Sequence, residues 1–317
     1  MRTVAMQISA RSTGVFAIAA TPFRDDGALD LDSARRLTEF YLEKGVSGLT
    51  VLGMMGEANK LTAEESLAYL DCVLNVVGGG VPVVVGVSAP GLVALADLAH
   101  RAMARGTAGV MVAPTPNLRT DTQIESYFAM VCDTLGPDVP IVLQDFPLAL
   151  GVQFSAECLA RIFNANRQIV MLKHEDWPGL VKLRTLREMG AQGRIPPLSI
   201  LVGNGGLFLP QEMAAGADGA MTGYAYPEML AEVVRGCAAG ERDRVEDLFD
   251  AHLPLIRLET QPGLGLSVRK NVLFRRGAIA SPFVRRPGPV LDADGLAELD
   301  HTLARLTRRL DELGHDR

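Results

Sequence analysis

Eight short apolar runs dominate the chain and recur mostly at intervals of roughly 30 residues. They cover residues 14–20, 47–53, 81–87, 108–114, 139–145, 169–175, 198–204 and 217–223. The runs are continuous and do not alternate with polar residues, which is typical of parallel strands buried on both faces. Helical patterns lie between them, including residues 30–44, 62–77, 91–105 and 120–135. The chain therefore alternates strand and helix.

This alternation predicts a (β/α)₈ TIM barrel, an α/β fold, because eight repeats of this length match that architecture. A doubly wound sheet is the alternative, but it would not usually need eight strands before its first long helical tail. One helix start is marked by Thr62 with Glu65 three residues on, a capping-box pattern.

The pattern changes after residue 223. Helical periodicity covers residues 227–239, 241–258, 262–276 and 292–313, and a loop rich in proline and arginine covers residues 280–289. We therefore predict a barrel at residues 1–226 and a C-terminal helical region at residues 227–317 that packs on it.

Charge and hydropathy exclude several classes of protein. The 317 residues carry a formal charge of −6, whereas nucleic-acid binders present clustered basic surface. No apolar run reaches the roughly 18 residues of a membrane span, and residues 1–13 lack the apolar segment of a signal peptide. We expect a soluble, cytoplasmic protein that binds neither nucleic acid nor membrane.

The four cysteines, at positions 72, 132, 158 and 237, are widely separated. No pair has the close spacing of metal ligands, so we expect buried thiols and no metal site. Nicotinamide, flavin and pyridoxal signatures are absent from the sequence, and no cofactor is expected.

Lys173 is the most informative single residue. Only five of the 31 basic residues are lysines, and Lys173 alone ends an apolar strand run. Active sites of barrels lie at the carboxyl ends of the strands. An amine desolvated there is favoured in its neutral form, which can attack a carbonyl carbon. The alternative is a structural ion pair with Glu57, Asp145 or Glu175.

Other residues at strand ends complete the candidate site. Gln144, Asp145 and Glu57 are candidate catalytic groups, and two glycine-bearing turns could offer amide N–H groups to an anion. The residues of these turns that we expect to contact substrate are Gly53, Met54, Met55, Gly203 and Asn204. Tight strand-to-helix turns explain the glycines about as well. His174 should point away from the barrel axis and pack against a helix.

Together these residues resemble the dihydrodipicolinate synthase/N-acetylneuraminate lyase superfamily. The resemblance rests on the Gly-x-x-Gly-Glu turn at residues 53–57, on Pro147 and Gly151, on Lys173, and on residues 216–221. It implies that Lys173 forms an imine with a 2-oxo acid, and that the chain forms a homo-oligomer, a tetramer or a dimer.

Three departures argue against lysine-pathway synthesis. Met54 and Met55 stand where the family has threonines, Gln144 stands where it has a tyrosine, and Ala149 stands where true synthases have an arginine. The backbone amides of the two methionines would then have to hold the substrate carboxylate. Residues 144–147, Gln-Asp-Phe-Pro, are similar to the corresponding strand of 2-keto-3-deoxy-L-arabinonate dehydratases.

The sequence thus predicts a metal-independent class I lyase that acts on a small 2-oxo acid such as a 2-keto-3-deoxy sugar acid. Dehydration and retro-aldol cleavage share the imine and stay open, as does a pyruvate-dependent aldolase of a different substrate. Glu57, Asp145 and Glu175 are the acid–base candidates, although Glu57 could instead be structural. The rival is a non-catalytic oxo-acid or sugar-acid binding protein on a decayed enzyme barrel.

Overall fold

A computed structural model describes residues 6–177 and 179–315. Its core is a closed parallel barrel, which confirms the predicted fold. The eight strands are β1 Gly14–Ile18, β2 Gly48–Val51, β3 Val83–Gly86, β4 Gly109–Val112, β5 Ile141–Asp145, β6 Ile169–His174, β7 Ser199–Val202 and β8 Gly219–Thr222. The helices around the barrel are α1 Leu31–Glu43, α2 Ala63–Val77, α3 Leu92–Met103, α4 Asp121–Leu135, α5 Pro147–Leu150, α6 Ala156–Ala165, α7 Leu180–Ala191, α8 Leu209–Ala214 and α9 Pro227–Ala239.

The strands follow one another around the barrel in sequence order, and β8 pairs with β1. A doubly wound sheet would be open and would reverse its strand order, so that alternative was wrong. The strands are shorter than the predicted apolar runs because the last residues of several runs already belong to loops at the barrel mouth.

Side chains alternate between the two faces of each strand, and this alternation orients the site. An inner cluster, which includes Val142, Met171, Leu201 and Met221, fills the barrel. A second cluster lies between the strands and the helices. Residues two positions beyond the inner cluster also face inward, so Lys173 follows Met171 toward the axis.

The predicted capping box begins α2. The Glu65 N–H donates to Thr62 Oγ1 at 3.1 Å, and the Thr62 N–H donates to Glu65 Oε2 at 2.9 Å. These bonds satisfy N–H groups that a helix start otherwise leaves without partners.

Three further helices follow: α10 Arg242–Glu259, α11 Gly265–Arg275 and α12 Ala293–Leu313. Helix α9 contacts β1 and β8 and completes the ring around the barrel. The boundary between the barrel at residues 1–226 and the C-terminal region at residues 227–317 stays a prediction. Residues 276–292 are irregular, as predicted for 280–289.

The cysteines are free thiols, two of them buried and two half-buried. Within the described residues, no helix is both long and apolar enough to cross a bilayer. The absence of a signal peptide was predicted from residues 1–13, of which residues 1–5 lie outside the described residues.

A buried histidine joins the C-terminal region to the barrel. His252 on α10 lies 2.8 Å, through Nδ1, from the hydroxyl of Tyr224, just after β8. Burial lowers the pKa of His252 to about 3, and the nearby Arg276 adds to the effect. The folded protein therefore resists protonation of this ring.

We predict that this histidine contributes to acid unfolding. The unfolded chain takes up the proton near pH 6.5, so the free energy of unfolding should fall by about 1.4 kcal/mol per pH unit from there toward pH 3. In His252→Asn, the contribution of this residue to the pH dependence of the unfolding free energy should vanish. Urea titrations at several pH values between 4 and 6.5 measure that dependence. The exposed His301→Asn is the control, and an unchanged slope in His252→Asn would contradict the prediction.

Candidate active site

A cavity of about 450 Å³ opens at the carboxyl ends of the strands. This volume suits a small metabolite. The ends of β1, β2, β6 and β8 contribute to its wall, and so do the loop before α11 and α11 itself. Its ionisable lining residues are Lys173, Glu175, Glu259 and Arg269.

Lys173 lies at the base of this cavity and is 6% exposed. Its Nζ is 2.9 Å from Glu175 Oε2, and Gln144 Nε2 donates to the same oxygen at 2.7 Å. Gln144 and Lys173 are register partners on β5 and β6. The ion pair between Lys173 and Glu175 is thus one of the three alternatives that the sequence analysis gave. It holds a carboxylate next to the amine.

Glu175 is held from its other side as well. The Asn204 N–H donates to Glu175 Oε1 at 3.3 Å. Gly203, which precedes Asn204, has no side chain to occupy the space: a Cβ there would lie 2.3 Å from Glu175 Oε1. Two residues of the turn after β7, Gly203 and Asn204, were predicted to contact substrate. Asn204 lines the cavity. Gly203 is not among the lining residues and instead makes room for Glu175.

Asp145 lies on the other face of β5, outside the cavity lining. Its Oδ2 is 2.8 Å from Lys182 Nζ on α7 and 3.6 Å from His174 Nδ1. Burial opposes protonation of His174, but the Asp145 carboxylate outweighs it and raises the pKa of the ring. His174 points away from the barrel axis as expected and contacts the carbonyl of Gly179 at 3.0 Å. This geometry separates Asp145 from Lys173.

Glu57 also points away from the cavity. Its Oε1 lies 2.5 Å from Lys270 Nζ, and its Oε2 accepts from Lys60 Nζ at 2.9 Å and from the Arg285 N–H at 3.0 Å. These contacts connect the turn after β2 to α11 and to the irregular segment that follows α11. Lys270 is a second buried lysine, which the sequence pattern did not single out because it lies in a helix.

The turn after β2 presents Gly53, Met54 and Met55 to the cavity. Met54 and Met55 begin a short 3₁₀ turn, whose first N–H groups have no acceptor within the turn. The flanking Leu52 and Glu57 both have positive φ, 56° and 55°. Non-glycine residues rarely adopt this conformation, and functional turns are where it is tolerated.

The outer wall of the cavity is largely apolar. Phe146, Leu148, Ala149 and Trp177 line it beside the methionines, and Trp177 packs edge-on against Phe208 at 4.8 Å between ring centroids. Ala149 thus lies at the cavity mouth.

Two charged lining residues come from the C-terminal region. Arg269 on α11 donates from Nε to Glu259 Oε2 at 2.8 Å, and Glu259 Oε1 accepts from the Ala225 N–H at 3.2 Å. Sequence reasoning did not propose either residue for the site. The signal available in the sequence was a pair of adjacent basic residues, Arg269 and Lys270, within a predicted helix.

One group with metal-ligand spacing exists among the described residues, on the outside of the barrel. It consists of Asp121, Glu125 and Cys158. Arg161 already pairs with both carboxylates, at 2.9 and 2.8 Å, and burial raises the pKa of the Cys158 thiol to about 12. None of these residues lines the cavity.

A family model described as the dihydrodipicolinate synthetase family matches residues 11–306. The chain belongs to the dihydrodipicolinate synthetase family. Its fold, the position of Lys173 at the cavity base and the turn after β2 agree with the resemblance seen in the sequence.

Relatives within this family carry different names. An L-2-keto-3-deoxyarabonate dehydratase of Azospirillum brasilense is 34% identical over 307 residues, which cover 96% of each chain. A probable 2-dehydro-3-deoxy-D-pentonate aldolase of Escherichia coli is 28% identical over 72% of this chain and 75% of its own. A crystal structure called dihydrodipicolinate synthase, from Rhodopseudomonas palustris, superposes with a TM-score of 0.93 at 51% identity, covering 95% of this chain and 100% of that one.

We predict that Gly203→Ala disrupts the site without unfolding the barrel. The new Cβ would collide with Glu175 and push its carboxylate away from Lys173. Reductive trapping of pyruvate by borohydride should slow at least about tenfold. Gly91→Ala is the matched control, because a Cβ there meets nothing within 4 Å. Equal trapping by the two variants would refute the steric argument.

Proposed function

We propose that the protein is a lyase that dehydrates a 2-keto-3-deoxy sugar acid through an imine on Lys173. The observation that carries the proposal is the contact between a buried lysine and a buried carboxylate at the base of a metabolite-sized cavity. A lysine that only bound an anion would not need a carboxylate 2.9 Å from its nitrogen.

Imine formation requires a neutral amine. Glu175 is placed to take the ammonium proton from Lys173, whose nitrogen then bonds to C2 of the oxo acid. The C2 oxygen takes one proton from the attacking nitrogen and one from Glu175 and leaves as water, which gives the iminium and returns Glu175 to its carboxylate form. Gln144 cannot titrate, so in this scheme it orients Glu175 through its hydrogen bond.

Elimination follows from the imine. The iminium nitrogen withdraws electrons, so the C3–H bond can break with its proton passing to Glu175. The electron pair left at C3 forms a C3–C4 double bond as the C4 hydroxyl leaves, and the hydroxyl becomes water by taking the proton that Glu175 received from C3. Hydrolysis of the imine returns the product carbonyl and the free amine.

The amides of Met54 and Met55 would hold the substrate carboxylate. Their position at the start of a short turn in the cavity wall supports this assignment. It would replace the hydroxyl groups that the family turn usually supplies.

Dehydration is favoured over cleavage by the comparison with the dehydratase of Azospirillum brasilense, which extends over nearly the whole of both chains. Retro-aldol cleavage to pyruvate is the second candidate, supported by the aldolase relative. With 4,5-dihydroxy-2-oxopentanoate as substrate, we expect loss of water without release of pyruvate; stoichiometric pyruvate would favour cleavage.

We infer that the protein is not a dihydrodipicolinate synthase, although a solved relative bears that name. Gln144, the two methionines and Ala149 lack the functional groups that the resemblance assigns to that reaction. The binding-protein alternative has less support, because Glu175 is placed for proton transfer.

We also propose that the chain forms a homo-oligomer, as the resemblance implies, and that it lies in the cytoplasm, as the sequence composition predicts. Large apolar side chains exposed near the cavity mouth, Leu148 and Met54, are consistent with assembly. Sedimentation equilibrium would give the number of subunits.

The imine itself can be trapped. After incubation with pyruvate and borohydride, the intact mass of the wild type should rise by one reduced pyruvyl group, whereas Lys173→Ala and Lys173→Arg should stay unmodified. Lys182→Met is the matched control, since Lys182 pairs with Asp145 outside the cavity. An adduct on Lys173→Ala, or none on the wild type with pyruvate or longer 2-oxo acids, would overturn the proposal.

A pair of carboxylate variants separates proton transfer from structure. Glu175→Gln should lower kcat by about 10²-fold or more, because it removes the adjacent acid–base group. Asp145→Asn should change kcat less than about tenfold while lowering thermal stability, because it breaks the buried contact with Lys182. Comparable loss of kcat in both variants would contradict the assignment.

A further inference from the structure

We propose that Arg269, paired with Glu259, binds the terminal hydroxyl of the substrate and so determines its specificity. This inference rests on the proposed function, since it concerns the end of the oxo acid that is farthest from the imine.

The guanidinium of Arg269 is buried and incompletely bonded. The residue is 2% exposed and lines the cavity. Its Nε donates to Glu259, whereas Nη1 has no hydrogen-bond partner among the described residues. Buried donors are nearly always paired, so the unpaired Nη1 of a residue that lines the cavity points to an acceptor that arrives with the ligand.

The barrel leaves space for this side chain. Gly223 follows β8, two positions beyond the inward-facing Met221. A Cβ on Gly223 would lie 2.0 Å from Arg269 Nη1. The absence of a side chain at this position therefore admits a guanidinium from α11 into the mouth of the barrel, on the same wall as Thr222.

Charge favours a hydroxyl over a second carboxylate at this position. Arg269 is already paired with Glu259, so the two side chains together contribute no net charge. Burial raises the pKa of Glu259 even beside Arg269, and a further anion there would be repelled. A hydroxyl adds no charge and can accept from Nη1 while donating to the Glu259 carboxylate.

Two substrates that differ by one hydroxyl test the proposal. They are 4,5-dihydroxy-2-oxopentanoate and 4-hydroxy-2-oxopentanoate, which share the C2 carbonyl and the C4 leaving group. We expect the wild type to favour the first in kcat/KM by at least about tenfold, because a site built to hydrogen-bond a hydroxyl discriminates against the analogue that lacks it. In Arg269→Met, the ratio should fall to within about threefold of unity.

Two further variants, Arg269→Lys and Gly223→Ala, test whether the effect of Arg269→Met is only structural. The lysine keeps the charge opposite Glu259 but lacks the second nitrogen of the guanidinium, so one nitrogen cannot reach both Glu259 and the substrate hydroxyl with the fork geometry of arginine. The alanine displaces Nη1 while keeping the arginine. Both variants should lower the same ratio. Pyruvate has no distal hydroxyl, so its trapping by borohydride should fall less in all three variants than kcat/KM for 4,5-dihydroxy-2-oxopentanoate does.

The outcomes distinguish the two proposals. Selectivity retained in Arg269→Met, or an equal loss on both substrates, overturns the role of Arg269 and leaves the imine chemistry standing. Failure of the wild type to trap pyruvate or longer 2-oxo acids removes the proposed function, and the subsite with it.

Discussion

The contact between Lys173 and Glu175 organises the mouth of the barrel. Two charges buried at this depth are unfavourable unless each is paired and hydrogen-bonded. Gln144 and the Asn204 N–H supply the remaining partners of the carboxylate, and Gly203 leaves the space that the carboxylate fills. The ends of three neighbouring strands therefore cooperate to hold one buried ion pair.

A glycine that leaves space for a charged side chain also follows the neighbouring strand, β8. Gly203 after β7 admits Glu175, and Gly223 after β8 admits Arg269. Each glycine stands where strand alternation would otherwise direct a side chain into the cavity. Two inward-facing positions at the barrel mouth thus lack a side chain. Glu175, just after β6, fills the space at one, and Arg269, from the C-terminal region, fills the space at the other. This arrangement couples the extension to the site, and Glu57 with Lys270 fixes the turn after β2 to the same helix.

The barrel fold and the candidate lysine could be predicted from the sequence. Apolar runs at regular spacing specify a parallel barrel because both faces of each strand are buried, and the barrel places strand ends at one site. Lys173 could be found because a lysine at the end of an apolar strand is rare. The partner of Lys173 could not be identified from the sequence, since Glu57, Asp145 and Glu175 all lie at or shortly after the carboxyl end of a strand. Strand alternation moves Asp145 to the outer face, and the fold of the C-terminal region draws Glu57 toward Lys60 and Lys270.

The roles of Glu259 and Arg269 depend on how α10 and α11 pack, which sequence periodicity does not determine.

A crystal structure of the protein with pyruvate would test the central claim most directly. We predict continuous density between Lys173 Nζ and C2 of pyruvate, with the carboxylate at the amides of Met54 and Met55 and the methyl group facing the open cavity. Pyruvate bound without a bond to Lys173, or absent at saturating concentration with the contact between Lys173 and Glu175 unchanged, would contradict it.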